Sequence, residues 1–142
     1  MAKKFFLIDD DNDDRELFLE ALSAVDNSVV FYYAADAEDA LEKLDTKSID
    51  TPDIIFLDIN LPAMTGWQCL SKLKSTDSSK NIPVIMYSTS SHSRDKNIAR
   101  DLGALCLITK PHDYKQIKTV LSTVVTNVNT GELDNICKQF SY

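Results

Sequence analysis

The sequence predicts an α/β fold in which a parallel sheet lies between two layers of helices. Five short runs rich in β-formers are apolar on both faces, as strands covered on both sides are. Five stretches with apolar residues near the helical period alternate with them. The chain has 142 residues, 44% of them hydrophobic and 26% charged, which suits one globular domain with a real core and leaves a second, output domain unexpected.

The strand candidates are Lys4 to Ile8 (KFFLI), Val29 to Ala34 (VVFYYA), Asp53 to Leu57 (DIIFL), Pro83 to Tyr87 (PVIMY) and Leu105 to Ile108 (LCLI). Between them helices are expected over Asp13 to Val25, Ala37 to Lys47, Gly66 to Ser75, Ser93 to Leu102 and Tyr114 to Val128. In the first helix Leu17, Phe18 or Leu19, Ala21, Leu22 and Val25 recur near the helical period; in the second Ala37, Ala40, Leu41 and Leu44 do so. Strands alternating with helices imply right-handed crossovers. The domain is expected over residues 1–129. The tail, residues 130–142, has scattered apolar residues and reads as a short helix, a docking segment or a frayed end, with the frayed or weakly docked state favoured.

Charge and composition exclude several classes. The net charge is −7 and no basic patch occurs, so direct binding of nucleic acid, which needs clustered Lys and Arg, is not expected. No apolar run approaches a membrane span, and acids cut off the N-terminal apolar residues before they could form a signal-peptide core. A cytoplasmic protein is expected. Cys69, Cys106 and Cys137 are widely spaced and lack a CxxC pair, which suits buried, reduced thiols.

In such sheets the functional crevice lies beyond the carboxyl ends of the strands. Asp9 and Asp10 follow the first strand, Asp58 the third, Ser88 and Thr89 the fourth, and Thr109, Lys110 and Pro111 the fifth. Carboxylates converging there repel one another unless positive charge sits among them. A hard divalent cation and Lys110 supply it, Ser88 adds a hydroxyl, and the set has the parts of a phosphoryl-transfer site with an aspartate nucleophile. The rest of the segment LIDDDNDD, Leu7 to Asp14, divides by position: Asp11 or Asn12 caps the first helix, and Asp13 and Asp14 favour its dipole. Asp11 is the alternative to Asp10 as ion ligand.

Four segments, LIDDD, FLDINLPAMTG, VIMYSTS and ITKP, in this order and at these strand ends, resemble the receiver domain of two-component response regulators over roughly Lys3 to Val128. The resemblance implies a flavodoxin-like (βα)5 doubly wound sandwich with strand order 2-1-3-4-5. It implies that Asp58 is the phosphoacceptor and that Asp10 binds Mg2+, or Mn2+ as substitute, directly. Asp9 would act through water, and Asn60 through its backbone carbonyl. Lys110 would pair with phosphoryl oxygens, Ser88 would turn toward them, and the Lys110–Pro111 peptide bond would be cis. Gly66 and Pro62 fit the loop after the acceptor, and Ser90 matches a place that tunes hydrolysis of the acyl phosphate. The implied partners are a sensor histidine kinase or histidine phosphotransfer protein and a downstream protein. The implied role is a single-domain switch that catalyses only its own phosphorylation and slow dephosphorylation, not an enzyme on an external substrate. One departure stands out: Leu107 occupies a position usually held by Tyr or Phe.

Competing readings are a scaffold that works without phosphorylation, suggested by Leu107, and a phosphatase of the haloacid-dehalogenase type, whose DxDx(T/V) nucleophile follows the first strand, whereas Asp58 follows the third and its DIN lacks the second acid. A third is an EF-hand over Asp9, Asp11, Asp13 and Glu20, whose glycine position holds Asp14. Bland roles are expected for His92 and His112, which read as solvent-facing, and for Trp67, which reads as packing.

Overall fold

A computed structural model describes residues 2–140; Met1, Ser141 and Tyr142 lie outside the described residues. Strands β1 (Lys4–Ile8), β2 (Val30–Ala34), β3 (Ile54–Leu57), β4 (Val84–Ser88) and β5 (Cys106–Thr109) alternate with helices α1 (Asn12–Val25), α2 (Ala37–Asp45), α3 (Gly66–Ser75), α4 (Ser93–Asp101) and α5 (Tyr114–Thr130). A further helix, α6 (Asp134–Phe140), follows. All strands pair in parallel in the order β2-β1-β3-β4-β5. This is the flavodoxin-like topology that the family resemblance implies.

Because successive strand residues point to opposite faces, each apolar run feeds two cores. Phe5, Leu7, Ile54, Phe56, Ile85, Tyr87, Cys106 and Ile108 pack with α1, α5 and α6. Phe6, Ile8, Ile55, Leu57, Val84, Met86 and Leu107 pack with α2, α3 and α4. Burying side chains of this size contributes about 1.5–3 kcal/mol each before entropy is counted.

β2 departs from the expected two-sided burial: Val30 is 36% and Tyr33 50% exposed. It pairs only with β1, so it is an edge strand, and the Tyr33 ring is covered from outside by the Arg15 guanidinium, 4.9 Å from its centroid. On α1 the buried residues are Phe18, Ala21 and Leu22, whereas Leu17 and Leu19 are exposed. The core-facing stripe is 18, 21, 22 and 25, and its two flanking leucines fall outside it.

Aspartate and threonine side chains start four helices. Asp11, Asp36, Thr65 and Asp113 accept from the backbone N–H groups of Asp14, Asp39, Gln68 and Gln116; such caps contribute about 1 kcal/mol each. α5 ends at Gly131, whose φ of 78° is left-handed. The chain then turns back, and Ile136 of α6 is fully buried, with Leu133, Cys137 and Phe140 packed against the same core. Residues 134–140 are thus docked rather than frayed. Leu133, Ile136, Cys137 and Phe140 recur at i, i+3, i+4 and i+7, a helical stripe short enough to pass for scatter.

Candidate functional site

The last rungs of the sheet place the site. Beyond β1, the Asp9 N–H donates to Ala34 O at 3.0 Å; beyond β3, the Asp58 N–H donates to Ile8 O at 3.0 Å; beyond β5, the Lys110 N–H donates to Ser88 O at 2.7 Å. Ladder hydrogen bonds therefore hold all three residues at one end of the sheet, and their side chains meet there. Lys110 Nζ lies 2.8 Å from Asp9 Oδ2 and 3.1 Å from Asp58 Oδ2. A third carboxylate, Asp14 Oδ2, lies 2.8 Å from the same nitrogen. The three ammonium protons are matched by three acceptors.

Asp9, Asp10 and Asp58 each offer a carboxylate oxygen, and these oxygens lie within 4.8 Å of one another. That is close enough for one hard cation and its waters to bridge them, and the donors are all oxygen, as Mg2+ and Mn2+ prefer. Asp10 is exposed and open to an ion. Asp11 is engaged elsewhere: its side chain caps α1 at 3.0 Å from the Asp14 N–H. The N–H of Asn60 donates to Asp58 Oδ1 at 3.2 Å, which draws the loop after β3 around the acceptor candidate. Ser88 is fully buried, and its Oγ has no hydrogen-bond partner. An orphaned buried hydroxyl costs about 1–3 kcal/mol, and a ligand oxygen in the crevice would relieve it.

Electrostatics follow from burial. Desolvation raises the Asp9 carboxyl from 3.8 to about 6, opposed by its hydrogen bonds to Lys110 and the Asp11 N–H. Burial also works against the Lys110 charge, but the hydrogen bonds to Asp14 and Asp9 outweigh it and push its pKa up. Beneath the ammonium, 5.8 Å away, lies the ring of Tyr87. That ring packs edge-on against Phe18 and Phe56, so the floor of the site is apolar and stiff.

The sequence places Asp14 only at the helix dipole and does not show its contact with Lys110. Its signal was the third position of α1, directly above the strand ends. The EF-hand arrangement is not formed, because Asp13 and Glu20 belong to α1 and the preceding segment is β1. The Lys110–Pro111 peptide bond is trans, since no cis peptide occurs among the described residues; trans is the isomer such bonds favour by about 0.5–1 kcal/mol. Leu107 is fully buried among the α3 and α4 contacts. His92 and His112 are exposed, and Trp67 packs at the edge of the second core.

The sequence matches the profile of the response regulator receiver domain over residues 5–122. The chain belongs to the response regulator receiver family. Protein PilG of Pseudomonas aeruginosa is 34% identical over 115 residues, 80% of this chain and 81% of that protein. The crystal structure of the phosphorylated cyanobacterial phytochrome response regulator RcpA is similar with a TM-score of 0.84 at 30% identity, over 92% of this chain and 96% of that one. The Mn2+-bound form of response regulator Rcp1 reaches 0.77 at 25% identity, over 87% and 92%. Of three longer curated relatives this receiver chain spans 58%, 37% and 28% of the length. As a receiver domain it belongs to a family of phosphoacceptor switches with an acidic metal-binding site. Among the described residues no helix is long and apolar enough to cross a membrane.

Proposed function

We propose that this receiver domain works in the cytoplasm, accepting a phosphoryl group on Asp58 and thereby altering its binding to a downstream protein. The donor is the phosphohistidine of a sensor histidine kinase or of a histidine phosphotransfer protein. The observation that carries the reading is the ion pair of Lys110 with Asp58, 3.1 Å, inside a carboxylate group fit for a hard cation.

The Asp58 carboxylate oxygen attacks phosphorus in line. The new O–P bond forms as the P–N bond of phosphohistidine breaks, and the electron pair leaves with the imidazole nitrogen. Asp10 and Asp58 directly, Asp9 through water and Asn60 through its carbonyl would hold Mg2+, or Mn2+ in its place. The ion supplies positive charge to the phosphoryl oxygens when bound. Lys110 gives up its contact with the Asp58 carboxylate to pair with a phosphoryl oxygen, and the orphaned Ser88 hydroxyl donates to another. Water later cleaves the acyl phosphate, which makes the protein a self-resetting switch rather than an enzyme on an external substrate.

Incubation with Mg2+ and acetyl phosphate should add one phosphoryl mass to the intact protein and none to Asp58→Asn. Equal labelling of both proteins would refute the assignment. Leu107 favours one second reading, a binding module indifferent to phosphorylation, because the fully buried leucine has no outward aromatic to turn in. That reading requires partner affinity unchanged by Asp58→Asn and by Mg2+.

A further inference from the structure

We propose that Asp14 is an electrostatic attenuator of this site: it holds Lys110 from the outer side, weakening the pull of the ammonium on a phosphoryl dianion while strengthening the site's attraction for the divalent cation. The inference rests on the reading of Asp58 as phosphoacceptor and adds a regulator of its rate and metal affinity.

Asp14 touches Lys110 as closely as Asp9 does, 2.8 Å for each. Yet it is not among the three carboxylates that converge for an ion. Its effect therefore runs through Lys110 and through its own charge. The helix-dipole role does not explain this contact. Asp13, one residue earlier in the same first turn, satisfies the dipole while exposed to solvent, whereas the Asp14 side chain reaches a residue 96 positions away. Its backbone is fixed for that reach, since the Asp14 N–H is tied to the Asp11 cap at 3.0 Å.

The sign follows from counting charges. The Asp9, Asp10, Asp14 and Asp58 carboxylates and the Lys110 ammonium sum to a formal −3, or −2 with the Arg15 guanidinium that donates to Asp9 O at 2.8 Å, and removing Asp14 makes either sum one unit less negative. The extra negative charge opposes an incoming phosphoryl dianion and favours a dication. It also occupies the one Lys110 proton that neither Asp9 nor Asp58 uses, so a phosphoryl oxygen can take only the proton that Asp58 gives up. Because the Asp14 side chain is 37% exposed, solvent and salt screen it. The expected effect is roughly two- to fivefold on each quantity, as for a surface ion pair.

The test compares wild type, Asp14→Asn and Asp13→Asn. Asp14→Asn should raise the second-order rate of phosphorylation by acetyl phosphate, at saturating Mg2+, about two- to fivefold at low ionic strength, and the gain should shrink as KCl is added. Calorimetric titration of the unphosphorylated protein should show Mg2+ binding weakened by a similar factor. Asp13→Asn, which removes a neighbouring helix-start charge without touching Lys110, should show markedly smaller changes. A slower or unchanged rate in Asp14→Asn, unchanged Mg2+ affinity, or equal changes in Asp13→Asn would overturn the proposal. If the wild-type protein takes no phosphoryl group on Asp58, the receiver reading fails, and the Mg2+ titration still decides the electrostatic role of Asp14.

Discussion

A Cβ atom on Gly66 would fall 2.1 Å from the carbonyl oxygen of Asp58. The start of α3 packs directly on the backbone of the acceptor candidate, and the Gly66 N–H donates to Ile59 O at 2.8 Å. Backbone cannot step aside as a flexible side chain can, so Gly66→Ala must displace the loop that carries Asp58. The expected cost is about 3 kcal/mol, the upper range for overpacking, read as a lower urea midpoint. Phosphorylation by acetyl phosphate should slow in the same variant.

Lys110 neutralises a carboxylate that has left water: its side chain is 10% exposed and that of Asp9 is 0%. Removing one partner of a buried pair leaves an uncompensated charge, at a cost of about 3 kcal/mol. Lys110→Met should therefore unfold at lower urea than wild type in EDTA. Adding Mg2+ should stabilise the variant more than wild type, because the cation then meets one more unpaired negative charge.

Asp9 sets a pH dependence with a definite sign. Its folded pKa, about 6, lies above the ordinary 3.8, so the native state prefers the neutral carboxyl. Between these values the native state holds more protons than the unfolded chain, and stability falls as pH rises through the window. The cost is complete above about pH 6, on the order of 3 kcal/mol by linkage. Asp9→Asn, measured in EDTA, should be more stable than wild type at pH 7.5, and the difference should shrink as pH falls from 6 toward 4. An advantage that instead grows toward acid would contradict the assignment.

Helix α6 is held chiefly by Ile136, which is fully buried against β5 and α5. Ile136→Ala should cost about 2 kcal/mol, the lower end for buried Ile to Ala, since a terminal helix can partly settle into the space. Faster hydrogen exchange confined to residues 134–140 and their contacts would accompany it.

Much of this molecule was legible because its local signals agree with its packing. The five strands and the helices α1 to α5 came from period and composition, and Asp9, Asp10, Asp58, Ser88 and Lys110 came from their places at strand ends. What was missed depends on position in three dimensions. Val30 and Tyr33 read as buried strand residues, yet exposure depends on which strand ends the sheet. The contact of Asp14 with Lys110 spans 96 residues, and no local rule for a helix start contains it. The docking of α6 rests on four apolar residues, too few to separate a short amphipathic helix from a frayed tail without the groove that receives it.

The central claim is that Asp58 is the residue modified. After reaction with acetyl phosphate and Mg2+, borohydride reduction converts an aspartyl phosphate to homoserine, and peptide mass spectrometry locates it. The expected result is homoserine at position 58 alone, absent when Mg2+ is chelated. Homoserine at Asp9, Asp10 or Asp14 instead, or a phosphoryl group retained elsewhere with Asp58 intact, would contradict the account.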